Sequence, residues 1–469
     1  MNRLIISRHR LWTVIFVTAL CLAAKQTQAQ MCPSAGDKFF APDGVTNANF
    51  GYAIAMDGDV AVVGAWLDSD NGPSSGSAYV YRNTGSQWIL ENKLTASEGE
   101  PSDYFGISVA ISGGAIVIGA PGVDDFGADS GAAYIFKFNG VNWIEQTKLY
   151  ASDATAGDWF GNAVALSGNS AIIGAVLSDH NNNGLVSGAA YHFEFDGSVW
   201  SQQAILLASD AAAGDRFGTS IAMTDTTLVI GSPENDDNGD DSGSIYIFTK
   251  SGTTWNQQGK LLASDGMEYQ KFGLSVAISG TKIAVGAPTT NTRPEHIGAV
   301  YVYELDRFIW VQRAKLLTSD GYRLDSFSSS VSISGNTILS GAHNSSPSFT
   351  GAAYLYQDLG SGWTQQIKFI APDGMPTYHF GSAVALSGDS ALIGSPGDSN
   401  YFGSVYPYNL NPPPCPADMN SDCNLDFFDV SGFLSAFGNQ DPIADFSGDG
   451  LFDFFDVSAF LVAFGAGCP

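Results

Sequence analysis

The strongest constraint on the fold of this chain is a sequence unit that recurs about every 55 residues. Each unit opens on a Phe-Gly pair, continues through an alternating apolar run and a tight turn, and reaches a second apolar run that ends in Gly-Ala-Pro or a close variant. A period of this length predicts a repeat architecture in which each unit is one supersecondary element. The seven opening pairs are Phe50-Gly51, Phe105-Gly106, Phe160-Gly161, Phe217-Gly218, Phe272-Gly273, Phe327-Ser328 and Phe380-Gly381.

Two further apolar runs complete each unit. The third is exemplified by residues 131–136, and the fourth begins near a tryptophan. Four short strands separated by turn residues are typical of one propeller blade. The sequence therefore predicts an all-β fold, a seven-bladed β-propeller, over residues 30–408. The six tryptophans are Trp88, Trp143, Trp200, Trp255, Trp310 and Trp363.

The two ends of the array complement each other. The seventh unit stops after its third strand, whereas residues 38–44, before the first unit, match residues 368–374. Lys38 and Lys368 each lie 12 residues before the next Phe of a Phe-Gly pair. We expect the N-terminal strand to complete the last blade, because this pairing removes two exposed sheet edges.

These units resemble the FG-GAP repeats of integrin α-chain propellers and of their bacterial relatives, over residues 37–408. The resemblance implies the propeller fold and a surface that meets partners. Some integrin blades hold calcium in a hairpin between the first two strands. Here that hairpin is a short turn, such as Asp57-Gly58-Asp59, which cannot supply the 6–8 oxygen ligands that calcium takes. The calcium sites of those relatives are therefore not expected in these blades.

The charge balance is strongly acidic, with 20 basic and 47 acidic residues and a formal net charge of −27. Such a chain repels nucleic acid and favours cations or basic partners. The loops after the second strand are acidic and are expected on one face together with the loops that lead into each Phe-Gly pair. Two interpretations stay open: a functional one, as a partner-binding surface or as loose cation sites, and a structural one, as solvated turns chosen for their geometry. The acidic loop residues are Asp68, Asp70, Asp124, Asp125, Asp129, Glu234, Asp236, Asp237, Asp240 and Asp241.

No catalytic constellation emerges from the sequence. The histidines past the N-terminus follow no metal-binding spacing, and carboxylates are too numerous to single out a glycosidase pair. We therefore expect no catalytic residues and a protein that is not an enzyme. These histidines are His180, His192, His296, His343 and His379.

The N-terminus, residues 1–29, reads as a signal peptide. A basic start is followed by an apolar run over residues 11–24 and by Thr27-Gln28-Ala29, which fits a cleavage site. The prediction is a secreted or cell-surface protein with no membrane span after signal removal. Four cysteines remain and make disulfides plausible, with three pairings open. They are Cys32, Cys415, Cys423 and Cys468.

A proline-rich linker, residues 409–414, separates the propeller from residues 415–469, which contain two acidic loops with a period of 27 residues. Oxygen-bearing side chains fall at loop positions 1, 3, 5, 9 and 12 in both copies, and position 7 offers a backbone carbonyl. This is the EF-hand pattern, with Asp replacing Glu at position 12, and predicts bound Ca²⁺. The predicted metal ligands are Asp418, Asn420, Asp422, Asn424, Asp426 and Asp429, then Asp445, Ser447, Asp449, Leu451, Asp453 and Asp456.

An apolar stripe follows each loop and predicts a short helix that packs on its counterpart. The paired loop-helix unit resembles dockerin, most closely the cysteine-flanked variety of planctomycete-type exported proteins. That resemblance implies calcium binding and a cohesin-like or cell-envelope partner. Phe427-Phe428 and Phe454-Phe455 depart from the small polar residues that recognise cohesin in cellulosomes. The stripes are Val430, Phe433, Leu434 and Phe437, then Val457, Phe460, Leu461 and Phe464.

Three functional hypotheses follow from the sequence. The first is a non-catalytic binding or display propeller, attached by its calcium-binding tail, with a protein or glycan ligand on the propeller face. The second is an enzyme or accessory subunit of an extracellular polysaccharide-degrading complex. The third is a structural surface component.

Overall fold

The computed structural model describes residues 33–44, 46–179, 185–289, 298–321, 325–345, 349–411, 415–420 and 425–467. Within these residues, seven four-stranded antiparallel sheets follow one another along the chain, which confirms the predicted seven-bladed propeller. Several predictions fall outside the described residues. They concern the signal peptide (1–29), the linker residues 412–414, Cys32, Cys423, Cys468, Asp422, Asn424, His180 and His296.

Each blade is one sheet whose strands follow chain order. An N-terminal strand, β1, spans Ser34–Ala35. The first blade holds β2 (Ala53–Asp57), β3 (Val60–Ala65), β4 (Ser77–Asn83) and β5 (Trp88–Leu94). The second holds β6 (Ser108–Ser112), β7 (Ala115–Ala120), β8 (Ala132–Phe138) and β9 (Trp143–Leu149). The third holds β10 (Phe160–Ser167), β11 (Ser170–Ala175), β12 (Ala189–Phe195) and β13 (Trp200–Leu206).

The later blades repeat this order. The fourth holds β14 (Ser220–Met223), β15 (Thr227–Ser232), β16 (Ser244–Ser251) and β17 (Thr254–Leu261). The fifth holds β18 (Ser275–Ser279), β19 (Lys282–Ala287), β20 (Ala299–Asp306) and β21 (Ile309–Leu316). The sixth holds β22 (Phe327–Ser334), β23 (Thr337–Ala342), β24 (Ala352–Asp358) and β25 (Trp363–Phe369). The seventh holds β26 (Val384–Ser387), β27 (Ser390–Ser395), a short turn α1 (Asp398–Tyr401) and β28 (Ser404–Asn409).

The first strands of the blades surround the central axis. Each contacts the first strand of the next blade, and β26 contacts β2, so the contacts run round the whole ring. The second strand of each blade is covered on both faces by the neighbouring blades. Every residue of β3, for example, is buried. Strands that are covered on both faces are apolar throughout, which explains the continuous apolar run before each Gly-Ala-Pro.

The phenylalanine of each Phe-Gly pair joins two blades. Phe105 is fully buried and packs edge-on against Tyr134 of its own blade, with 5.3 Å between ring centroids. Its backbone forms a parallel bridge with Gly76 of the preceding blade. Gly76 has φ +83°, and a Cβ added there would lie 2.0 Å from the carbonyl oxygen of Phe105. Only glycine therefore fits at this joint.

The N-terminal segment supplies the fourth strand of the seventh blade. Ser34 pairs with Asn409 and Ala35 with Tyr408, so the order of that sheet is β1-β28-β27-β26. Further along, Phe39 forms an antiparallel bridge with Val405.

The C-terminal residues form two helices, α2 (Phe427–Gly438) and α3 (Phe454–Ala466), with a 3₁₀ turn at Pro442–Ala444 between them. Phe433 and Phe460 are buried and stack face to face, 4.1 Å apart and 6° from parallel. The apolar stripes predicted that Leu434 and Leu461 also pack between the helices. In the structure these two side chains are 57% and 55% exposed. Phe437 and Phe464 also pack against this buried cluster, whereas the two leucines face solvent.

Cys415 is disulfide-bonded. Among the described residues, no helix has the length and the apolar character that crossing a membrane requires.

Candidate functional site

The residue directly before each unit's phenylalanine differs from blade to blade, although its neighbours repeat. These seven positions, here called the mouth residues, precede the innermost strands on the face that carries the long loops. All have positive φ, which costs a residue with a side chain about 1–2 kcal/mol. Strain at a variable position of a rigid scaffold is a reason to consider a functional site. The mouth residues are Asn49 (55°), Tyr104 (58°), Trp159 (56°), Arg216 (55°), Lys271 (53°), Ser326 (53°) and His379 (55°).

Aromatic side chains dominate the mouth at the first two blades. Trp66, which replaces the proline of Gly-Ala-Pro, lies between Tyr52 and Tyr104, with ring centroids 5.5 and 5.3 Å apart. Tyr52 is 42% exposed, so part of this cluster faces solvent. Aromatic faces with polar edges offer rigid contact area to a sugar or a protein side chain.

Charged side chains occupy the mouth at blades four and five. Glu234 follows the second strand of blade four, forms an ion pair with Arg216 at 2.9 Å and accepts a hydrogen bond from Lys271 at 2.7 Å. Lys271 also lies 3.4 Å from Asp241. The carboxylate of Glu234 is therefore neutralised by two cations of the protein itself.

Histidines line a cavity of about 440 Å³ between blades six, seven and one. His343 Nδ1 lies 2.8 Å from the hydroxyl of Ser329, and the ring centroids of His343 and His379 are 6.0 Å apart. Burial, and to a lesser degree the neighbouring His379, lowers the pKa of His343 to about 4. The His343 imidazole is thus neutral at physiological pH. Tyr52 and Tyr401 also line the cavity.

The acidic loops are held largely by lysines from the fourth strands. Among the described residues, Asp43, Asp68 and Asp70 alone form a group of three potential metal-ligating side chains whose oxygens converge within 4.8 Å. The ammonium of Lys93 contacts all three carboxylates, at 2.8 Å for Asp68 and 2.6 Å for Asp70. Burial lowers the pKa of Lys93, but the three hydrogen bonds outweigh it and raise the pKa overall. Lys93 therefore occupies the place that a cation would take.

The same arrangement recurs in two other blades. Lys148 lies 2.6 Å from Asp125, and Lys260 lies 2.7 Å from Asp237. The remaining acidic residues shape their own loops or contact a neighbouring side chain: Asp124 accepts from the backbone N–H of Asp129, Asp236 accepts from that of Asp241, and Asp240 accepts from the Tyr269 hydroxyl at 3.5 Å. These contacts favour turn geometry over loose cation sites.

The second predicted calcium loop, residues 445–456, is described throughout. Asp445, at position 1, accepts backbone hydrogen bonds from Gly448 and Gly450, at 2.8 and 2.9 Å. Gly450, at position 6, has φ +78°, the left-handed backbone that an EF-hand loop needs there. Asp456 is buried, and backbone N–H groups of Ser447 and Asp453 lower its pKa.

Two other predicted ligands of this loop also bind its backbone. Asp449 accepts from the N–H of Leu451, and Asp453 accepts from the N–H of Phe455 as the helix cap. The carboxylates are therefore engaged with the loop itself rather than gathered round one point.

The described part of the first loop repeats this pattern. Asp429 accepts from the backbone N–H groups of Met419, Asn420 and Asp426. Asp426 caps α2 through the N–H of Phe428. Asp418 and Asn420 lie before the undescribed residues 421–424.

Four phenylalanines of the tail are strongly exposed. They sit as two adjacent pairs at the start of α2 and α3, one in each copy of the repeat. Exposed apolar side chains in clusters mark interaction surfaces. Their exposed fractions are 76% for Phe427, 65% for Phe428, 75% for Phe454 and 67% for Phe455.

Sequence reasoning missed the mouth residues. The available signal was variation itself: the position before the most regular residue of the repeat changes in chemistry from blade to blade. It also missed the convergence of His343 and His379, which come from different blades.

Comparison with known proteins supports the repeat assignment. The FG-GAP repeat model matches seven segments, at residues 35–81, 88–136, 143–193, 200–248, 255–303, 310–356 and 363–408. Among solved structures, the crystal structure of Sqt1 from Saccharomyces cerevisiae is similar at 13% identity, covering 81% of this chain and 89% of that chain, with a TM-score of 0.44. No curated protein sequence matches the chain.

Proposed function

Because this chain belongs to the FG-GAP repeat family, we propose that its propeller is a non-catalytic scaffold that binds a glycan or protein ligand at the mouth of the central channel. The observation that carries the proposal is the set of strained, chemically varied mouth residues. A propeller that served only as a spacer would have no need of tryptophan, tyrosine and arginine in left-handed backbone at these positions. Loops on a rigid scaffold are the usual place for recognition.

The distribution of side chains favours a ligand that engages one side of the mouth. Tyr52, Trp66 and Tyr104 form a continuous aromatic surface, whereas Arg216 and Lys271 already share Glu234. Aromatic residues dominate binding energy because they bury large area at small entropic cost. We therefore expect most of the binding energy to come from the aromatic surface of Tyr52, Trp66 and Tyr104.

The tail serves as a calcium-stabilised attachment module in this proposal. The residues fit calcium in two respects, since the donor set is entirely oxygen and Gly450 has the position-six backbone. When bound, calcium would supply the charge that lets Asp445, Asp449 and Asp456 approach one another. The exposed pairs Phe427-Phe428 and Phe454-Phe455 would then contact an apolar site on the anchoring partner.

Export of the protein completes the proposal. Residues 1–29 carry the features of a signal peptide, and the disulfide at Cys415 suits an oxidising compartment. The ligand would accordingly be met outside the cell or at its surface. Expression of the full chain tests the prediction of export. We expect the protein to be recovered from the medium with an N-terminal sequence that begins at Gln30.

A glycan array, run beside a panel of extracellular matrix proteins, tests ligand binding on the full-length protein. We expect binding that is weakened at least tenfold by Tyr104→Ala combined with Trp66→Ala. Phe308→Ala is the matched control, because Phe308 is 84% exposed in the turn between β20 and β21, on the opposite face. An equal loss of binding affinity in the double variant and in Phe308→Ala would contradict the proposal. Chemical turnover of the glycan would contradict it as well.

A further inference from the structure

We propose that His343 and His379 together bind a divalent transition-metal ion of the zinc class at the junction of blades six and seven. The two side chains come from different repeats. His343 occupies the position that is proline in four units, and His379 is the mouth residue of the seventh. The site does not depend on the proposed ligand at the aromatic side of the mouth.

The separation of the two rings fits a shared ion. Metal–nitrogen bonds of about 2.0–2.1 Å place the centres of two imidazoles on one zinc ion roughly 5–6 Å apart. The ring centroids of His343 and His379 are 6.0 Å apart. This separation lies at the upper end of that range.

The hydrogen bonds of the two rings also suit coordination. Ser329 Oγ lies 2.8 Å from Nδ1 of His343, which leaves Nε2 of that ring as the coordinating nitrogen. Metal-binding histidines regularly use their second nitrogen in this way, because the bond fixes the ring and its tautomer. His379 Nδ1 is buried and has no hydrogen-bond partner among the described residues. The His379 ring therefore gains a partner when an ion binds.

The electrostatic surroundings also favour a bound cation. The acidic character of the whole protein, with its formal charge of −27, also attracts cations to its surface.

The cavity completes the coordination shell. Its volume of about 440 Å³ admits water, and Tyr52, Tyr401 and Ser382 are among the residues that line it. Two histidines with water in the remaining positions make an open site. Such an ion can hold a further oxygen or nitrogen donor from a ligand that enters the mouth.

Cobalt titration of the full-length protein tests the proposal, with excess Ca²⁺ present to saturate the oxygen-rich tail. Four-coordinate cobalt gives visible absorption bands that a six- or seven-coordinate oxygen site gives far more weakly, and Zn²⁺ should displace it at one equivalent. We expect His343→Gln and His379→Gln each to lower affinity at least tenfold, and the double variant to abolish the bands. Ser329→Ala, which removes a positioning hydrogen bond, should weaken binding roughly 10–100-fold.

The matched control is His180→Gln with His296→Gln, which removes two other histidines and should leave the titration unchanged. Thermal unfolding of each variant verifies that it is folded, and if His343→Gln does not fold, His379→Gln decides alone. Unchanged cobalt binding in a folded double variant, or loss of binding in the control, would overturn the proposal. Glycan or protein binding at Tyr104 is measured separately without the metal, so the two proposals fail independently.

Discussion

Phe39 and Val405 exchange two backbone hydrogen bonds, with nitrogen–oxygen distances of 3.0 and 2.9 Å, and so join the first described residues to the last strand of the propeller. Phe39 also packs against Tyr81, with ring centroids 4.5 Å apart. The N-terminal segment therefore connects the seventh blade to the first through both its backbone and its side chain.

Deleting residues 30–46 should destabilise the propeller. The deletion removes β1, the bridge at Phe39 and its aromatic contacts, and exposes the edge of β28. We expect a loss of several kcal/mol in the free energy of unfolding, measured by chemical denaturation followed by circular dichroism. A protein that lacks only residues 1–29 is the control, and equal stability of the two would contradict closure by this strand.

Gly403→Ala should weaken the joint between blades seven and one. Gly403 has φ +83°, and an added Cβ would lie 2.0 Å from the carbonyl oxygen of Phe50. Backbone strain and steric clash together should cost at least about 3 kcal/mol. Gly360→Ala is a matched control, because Gly360 has the same φ of +83° and no atom within 4 Å of an added Cβ. That variant should lose only the strain, about 1–2 kcal/mol; similar losses in both variants would show that the clash is relieved.

The salt bridges of Lys38, in the N-terminal segment that closes the seventh blade, should make the free energy of unfolding depend on pH. Lys38 contacts Asp373 and lies 2.9 Å from Asp398, whose side chain is 2% exposed. Burial raises the pKa of Asp398, but hydrogen bonds from Ser404 and Lys38 outweigh it and lower the pKa below the usual 3.8. The pair therefore stabilises the fold fully above that usual value, and the stabilisation is lost as pH falls through the lowered folded-state pKa.

Lys38→Met should accordingly cost about 1–2 kcal/mol at pH 7 and progressively less as the pH falls below 4. Unfolding free energies between pH 2 and pH 7 measure this difference. The exposed Lys137, replaced by methionine, is the control. A cost for Lys38→Met that stays constant down to pH 2 would rule out this charge pair as its cause.

Gly450→Ala should weaken the second calcium site. Gly450 has φ +78° at position six of the loop, and alanine in that backbone costs about 1–2 kcal/mol. Isothermal titration of the full-length protein with Ca²⁺ should show two tail sites, of which the second weakens roughly tenfold or more in the variant. Gly438→Ala, at the end of α2, should leave both sites unchanged. Absence of calcium binding in the unaltered protein would remove the EF-hand interpretation altogether.

Calcium should also stabilise the tail. An ion that binds only the folded state raises the free energy of unfolding by about 2.7 kcal/mol at a concentration 100 times its dissociation constant. Addition of EDTA should therefore separate a low-temperature transition of the tail from that of the propeller in calorimetry. Asp445→Asn with Asp418→Asn should lose this response, whereas an EDTA-insensitive tail in the unaltered protein would contradict the prediction.

The sequence by itself determined the number of blades, the strand order within each blade and the complementary ends of the array. These properties follow from local patterns, since a buried second strand must be apolar throughout and a joint such as Gly76 admits no side chain. Only the tertiary structure decided which residues meet across blades. Lys93 of the first blade contacts Asp43, which precedes that blade, and the rings of His343 and His379 lie 6.0 Å apart, because the circular arrangement of the blades brings neighbouring repeats together. It also decided that Leu434 faces solvent while its neighbour Phe433 is buried, since the ring of Phe433 stacks on that of Phe460.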